Sequence, residues 1–148
     1  MARTITDREY QALAELRYRI RKFLQEGDDA CRIVGLEPQQ YLLLLAIRGL
    51  PVGCEATIRT LAERLSLRHH STVELVDRLE GHGYVKRSRG KKDRRQVWVS
   101  LQPKGESLLA QVVEQRVIEL RANGRALAQA ISALVADKPR QRRNSRRK

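Results

Sequence analysis

Between Ile58 and Gly81 two apolar stripes of helical period stand only three residues apart, and no other feature narrows the fold so sharply. The first runs from about Ile58 to Leu65, turning Ile58, Leu61, Ala62 and Leu65 inward, with Thr57 before it as N-cap. The second, His69 to Gly81, does the same with Thr72, Leu75, Val76 and Leu79. Two helices joined only by Ser66 to Arg68 make a helix-turn-helix. Gly83 suits the left-handed conformation that ends a helix, after which Tyr84 to Arg87 and Gln96 to Leu101 read as two short strands bracketing the basic turn SRGKKDRR. Val97, Val99 and Leu101 alternate towards one face. Helix, turn, helix and hairpin in this order make a winged helix.

The flanks are helical as well. Leu13, Leu16, Ile20, Phe23 and Leu24 form one stripe between Tyr10 and Leu24, which Gly27-Asp28-Asp29 is expected to loosen or end. Pro38 opens a helix through YLLLLAIR that Gly49 and Pro51 stop. Pro103 opens a long helix with Leu108, Leu109, Val112, Val113, Val117 and Leu120 on its stripe; Asn123-Gly124 interrupts it, and Leu127, Ile131, Leu134 and Val135 continue in a last helix. A winged helix alone cannot cover these additional stripes, whereas a second copy of the chain can. The expected fold is therefore mainly α with a small β-hairpin wing. A winged helix-turn-helix at about 54–101 is embedded in a helical dimerisation domain of about 6–34 and 103–137, within one domain spanning 1–137. Leu13, Ile20, Val113, Val117, Leu120, Leu127 and Ile131 are the expected homodimer interface.

The 148 residues suit one core and argue against a multidomain enzyme. Thirty Lys and Arg against seventeen Asp and Glu leave a net charge of +13, which calls for a polyanion as partner. Lys86 to Arg95 carries a local +6, and Lys138 to Lys148 holds seven basic residues, no acidic and no apolar ones, so 138–148 is expected to be a disordered basic tail. No apolar run approaches the roughly 20 residues that span a bilayer, and the start lacks the apolar core of a secretory signal, so the expected location is the cytoplasm, with no membrane partner. Cys31 and Cys54 have no C-x-x-C spacing and no close histidine set, and read as reduced thiols. Cys31, placed after the first helix, reads as inert; the alternative is an oxidant sensor activated by Arg32. His69 and His70 point about 100° apart on a helix and so do not chelate one ion. With no nucleophile–base pair, metal set or glycine-rich phosphate loop, no catalytic residue, metal or cofactor is expected.

The stretch TLAERLSLRHHSTVELVDRLEGHGYVKRSRGKKDRRQVWVSLQPKGESLL resembles the winged-helix core of the multiple antibiotic resistance regulator (MarR) family, and the helices around it, from about Thr6 to Asp137, fit the same plan. VDRLEGHGYV (Val76 to Val85), the wing pattern Asp93-x-Arg95, and Val-x-Leu-x-x-x-Gly from Val99 to Gly105 carry the likeness. The resemblance implies a homodimer that binds near-palindromic operators, usually as a repressor, released when a small phenolic ligand or an oxidant acts near the dimer interface. It also implies that Asp93 orients Arg95, the minor-groove arginine of the wing. Two features depart from the family: Gln102 stands where Thr is usual before Pro103, leaving Ser100 as an alternative cap, and the basic tail is additional.

A major groove admits a helix whose first turns reach base edges, which assigns double-stranded DNA contacts to His69, His70, Ser71, Val73, Glu74 and Arg78. Glu74 has a second reading, as capping-box partner of Ser71. Asp77 on the same face is expected to pair with an arginine of the chain, since a carboxylate facing phosphate costs affinity. Arg89, Lys91, Lys92, Arg94 and Arg95 of the wing suit the adjacent minor groove. Trp98 reads as a packed strand residue. The expected function is a sequence-specific dimeric regulator with a small-molecule effector of unknown identity; the rival is a non-specific nucleic-acid binder drawing on the +13 charge.

Overall fold

The computed structural model describes residues 3–136. Six helices and one hairpin follow in the order α1 (Asp7–Ile33), α2 (Pro38–Arg48), α3 (Ile58–Leu65), α4 (His69–Gly81), β1 (Val85–Arg89), β2 (Val97–Leu101), α5 (Pro103–Asn123) and α6 (Arg125–Val135). They divide into two compact units. One is Glu26–Ile118; the other comprises the chain up to Gln25 and from Glu119 on. Asp137 and the basic stretch 138–148 lie outside the described residues.

In the Glu26–Ile118 unit the winged helix forms where the apolar periods put it. The Thr60 N–H donates to Thr57 Oγ1 at 3.1 Å and so caps α3, and Ser66 turns the chain towards α4 at φ 53°, the single left-handed position among the described residues taken by a residue other than glycine. Leu61, Leu75, Val76 and Leu79 are almost completely buried with Leu43 and Leu44 of α2, and Val85, Val99, Leu109 and Val112 close the same core. Gly83, at φ 74°, lets the chain leave α4 and enter β1. The hairpin is antiparallel, with Val85 opposite Leu101 and Arg87 opposite Val99. A third extended segment joins it, since the Val99 N–H donates to the Ala56 carbonyl at 2.8 Å and Thr57 bridges Trp98.

Two expectations need correcting. α1 does not loosen at Gly27-Asp28-Asp29 but runs on to Ile33, where Gly35 at φ 78° ends it and the Leu36 N–H returns to the Cys31 carbonyl at 3.0 Å. Gly27 keeps a helical backbone, and a Cβ there would stand 3.4 Å from Nε of the buried Arg116, an ordinary van der Waals contact. Ser100 does not help start α5, because its Oγ donates to the Lys86 carbonyl across the hairpin at 3.4 Å. The Gln102 carbonyl instead accepts from the Glu106 N–H at 2.9 Å.

In the other unit, Thr6 and Glu9 form a reciprocal cap at the start of α1, with Glu9 Oε2 accepting from the Thr6 N–H at 2.9 Å. The Gly124 N–H donates to the Leu120 carbonyl at 2.8 Å where α5 gives way to α6. Leu13, Leu120 and Ile131 are exposed here, as are Tyr10, Tyr18 and Val135, whereas Ile20 and Leu127 are half-buried. Of the remaining expected interface residues, Val113 packs on the core of the Glu26–Ile118 unit and Val117 is half-buried.

Gly105 is buried in the first turns of α5, where a Cβ would fall 2.3 Å from the Tyr84 carbonyl oxygen. Backbone cannot give way cheaply at that distance, so Gly105→Ala is expected to cost about 1–3 kcal/mol. Denaturant unfolding measures it, with Gly81→Ala, which meets nothing within 4 Å, as the control.

Candidate nucleic-acid interface

With Thr72, Leu75, Val76 and Leu79 turned inward, the opposite side of α4 faces solvent. His69, His70, Glu74 and Arg78 are exposed, and Ser71 and Val73 are half-buried. Thr72 is held inward because its Oγ1 donates to the Arg68 carbonyl at 3.0 Å. No side chain caps the start of α4, where Arg68 occupies the N-cap position, so the first-turn amides and the positive end of the helix dipole remain available to an outside acceptor. Ser71 is the third residue of the helix. A capping box with Glu74 is therefore ruled out, and Glu74 stands free on the outer face. Arg78 pairs loosely with Glu37 at 3.8 Å, both side chains more than half exposed.

Asp77 and Glu80 on the same helix are occupied. Arg87 reaches back from β1, placing Nη2 2.6 Å from Asp77 Oδ1 and donating from Nη1 to Glu80 Oε1 at 3.1 Å. Sequence reasoning found the need for an arginine beside Asp77 but did not choose Arg87 from the basic run. The readable signal was the pair of carboxylates three residues apart on a face otherwise suited to a polyanion.

The wing begins at Gly90, which is buried and conformationally crowded: a Cβ would stand 2.6 Å from the Asp93 carbonyl oxygen and 2.8 Å from Trp98 Nε1. Trp98 thus packs under the turn, as a strand residue is expected to. Asp93 Oδ1 accepts from the Arg95 N–H at 3.0 Å, and its carbonyl accepts from the Gln96 N–H at 3.1 Å, which folds the turn and directs the backbone of Arg95. Arg89 donates to the Arg94 carbonyl at 3.3 Å across the hairpin. Lys91, Lys92, Arg94 and Arg95 remain exposed at the tip. Between the wing, α3 and α4 lies a cleft of about 390 Å³ lined by Arg59, His69, Val73, Arg87 and Arg95 among others. Both candidate elements, helix and wing, open onto it.

Cys31 lies inside α1 rather than after it and is 1% exposed. Burial, and then the nearby Asp28 carboxylate, push its thiol above the usual range and outweigh the opposite pull of Arg116 and Arg32. Arg32 instead pairs with Asp29 at 2.9 Å. The activated-thiolate reading of Cys31 is not supported. Cys54 is exposed. Among the described residues no three His, Cys, Asp or Glu side chains are grouped to hold a metal ion, and no helix is long and apolar enough to cross a membrane.

Residues 34–96 match the sequence profile of the MarR family. Sixty residues are 33% identical to the uncharacterized HTH-type transcriptional regulator YwhA of Bacillus subtilis strain 168, a match over 40% of this chain and 43% of that protein, so the chain spans less than half the length of this curated relative. The fold is similar to that of a MarR family protein from Bacillus stearothermophilus, with TM-score 0.68 and 27% identity over 79% of this chain and 80% of the other. It is also similar to the transcriptional repressor CouR, solved bound to a 23-mer DNA duplex, with TM-score 0.64 and 24% identity over 90% and 99% of the two chains.

The two thiols should react very differently. At pH 8 an alkylating reagent is expected to label Cys54 readily and Cys31 only after unfolding, because a thiol held protonated and out of water is a poor nucleophile. Peptide mass spectrometry of the native and denatured protein checks this; equal labelling of both in the native state would contradict it.

Proposed function

We propose that the chain is a DNA-binding transcriptional regulator of the MarR family and that it works as a homodimer gripping a pseudo-palindromic operator, as a repressor. The observation that carries this reading is the side of α4 left open to solvent, with its uncapped N-terminus, on the same unit as an exposed cationic wing. In the proposed complex His69, His70, Ser71, Val73 and Glu74 meet base edges in the major groove, and Arg78 lies beside them. Arg89, Lys91, Lys92, Arg94 and Arg95 enter the next minor groove, with Asp93 orienting Arg95. CouR, similar in fold, was solved on a duplex, which supports double-stranded DNA as the partner class.

Support for a second copy comes from the exposed Leu13, Leu120 and Ile131, with Tyr10 and Tyr18 nearby in sequence, which a soluble monomer would leave wet. Half-buried Ile20, Val117 and Leu127 would join them, and Val113 would back them from its own core. On this reading the protein acts in the cytoplasm and a small molecule, of unassigned identity, loosens its hold on DNA by favouring an unproductive spacing of the two winged lobes. An oxidant acting through Cys31 is disfavoured by the burial of that thiol. A non-specific nucleic-acid binder is the second reading, favoured by the net charge of +13.

Selection from a random duplex pool separates the two. Enrichment of an inverted repeat with half-sites about 34 Å apart supports the first, and a preference below about tenfold over random DNA at physiological salt supports the second. Sedimentation at binding concentrations should report a dimer; a stable single copy would overturn the proposal.

Within the selected operator, Arg95→Ala should weaken binding strongly, whereas Val73→Ala should relax preference at one base-pair position. Titrations against the operator and its single-substitution series read both. Unchanged affinity for Arg95→Ala would remove the wing from the interface.

A further inference from the structure

Arg87 sits in the middle of β1, opposite Val99, yet its polar contacts go to α4. Its Nη2 donates to the Val73 carbonyl at 3.1 Å and lies 2.6 Å from Asp77 Oδ1, its Nη1 donates to Glu80 Oε1 at 3.1 Å, and its main-chain N–H donates to Glu80 Oε2 at 2.8 Å. Contacts at residues 73, 77 and 80 cover two turns of one side of the helix. The side chain is 25% exposed, against 58% for Arg78 in its loose pair with Glu37. Two carboxylates share one guanidinium here, so this arginine has no surplus positive charge to offer a phosphate.

We propose that Arg87 is a positioning residue, locking the wing to the recognition helix so that both can enter neighbouring grooves, and that Asp77 and Glu80 stand on the DNA-facing helix to hold it. This rests on the operator-binding reading above. The lever is long: at about 3.3 Å per strand residue, the wing tip near Lys91 is about 13 Å from the anchor, and a 10° swing at Arg87 displaces it by about 2 Å. Such a displacement is comparable to the tolerance of a hydrogen-bonded contact in a narrow groove. A lysine cannot replace the fork, since one ammonium cannot reach the Val73 carbonyl, Asp77 and Glu80 together in the same geometry.

The test compares folded variants, checked by circular dichroism, on the selected operator and on a random duplex across a salt series. Arg87→Lys, which keeps the charge, should lose about tenfold or more on the operator with random-duplex affinity and salt slope unchanged; Arg87→Ala should lose at least as much on the operator and, by unmasking Asp77 and Glu80, a smaller amount on the random duplex. A footprint should lose protection in the minor groove under the wing while keeping it in the major groove. The double variant Asp77→Asn with Glu80→Gln keeps the arginine but frees it, and should show the same selective loss, which also decides the matter if Arg87→Ala fails to fold.

Three results would overturn the proposal: equal loss on both duplexes with the slope reduced by about 0.9, rescue by lysine, or tighter operator binding by the double variant, each the mark of a phosphate contact. Wild-type protein without any operator preference would instead defeat the underlying reading, and that is visible before a variant is made.

Discussion

Thr72, Leu75, Val76 and Leu79 take one side of α4 completely out of water, and the remaining architecture follows from that burial. Each large apolar side chain so buried contributes about 1.5–3 kcal/mol, enough that the helix cannot rotate about its axis without losing more than its outer contacts could return. Leu43 and Leu44 of α2 and Val85 and Val99 of the hairpin surround the same stripe. The outer face is thereby fixed in direction by residues that never meet a ligand.

The wing depends on the same core at second hand. Val99 is sealed in it and draws the Ala56 carbonyl onto the hairpin, while Gly90 lets the turn close over Trp98. Asp93 then folds the tip from within by accepting from the Arg95 N–H. A cationic loop of this kind repels itself, and these short bonds and the close glycine contact are what give it a shape.

Much of this was legible before any coordinates. The period of Ile58, Leu61, Ala62 and Leu65, and of Thr72, Leu75, Val76 and Leu79, located both helices to the residue, and Thr57 and Pro38 marked two starts because caps and first-turn prolines act locally. What was not legible was long-range. Gly27 looked like a helix breaker, yet α1 runs through it and on to Ile33, packed beside Arg116, eighty-nine positions later in the chain. Arg87 looked like one more cation in a basic run, because its bonds to Asp77 and Glu80 exist only once β1 has been laid beside α4. Ser71 and Glu74 matched a capping pattern, yet the helix had already begun at His69.

From His69 to Gly81 the lone Lys or Arg is Arg78, set against Glu74, Asp77 and Glu80, so α4 itself is acidic on balance while the hairpin turn holds the cations. On the proposed reading, discrimination and grip are thus housed in separate parts. A change at His70 or Val73 could redirect the protein to a new target without making it cling to bulk chromosome, and a change in wing charge could tune occupancy without altering which target is chosen.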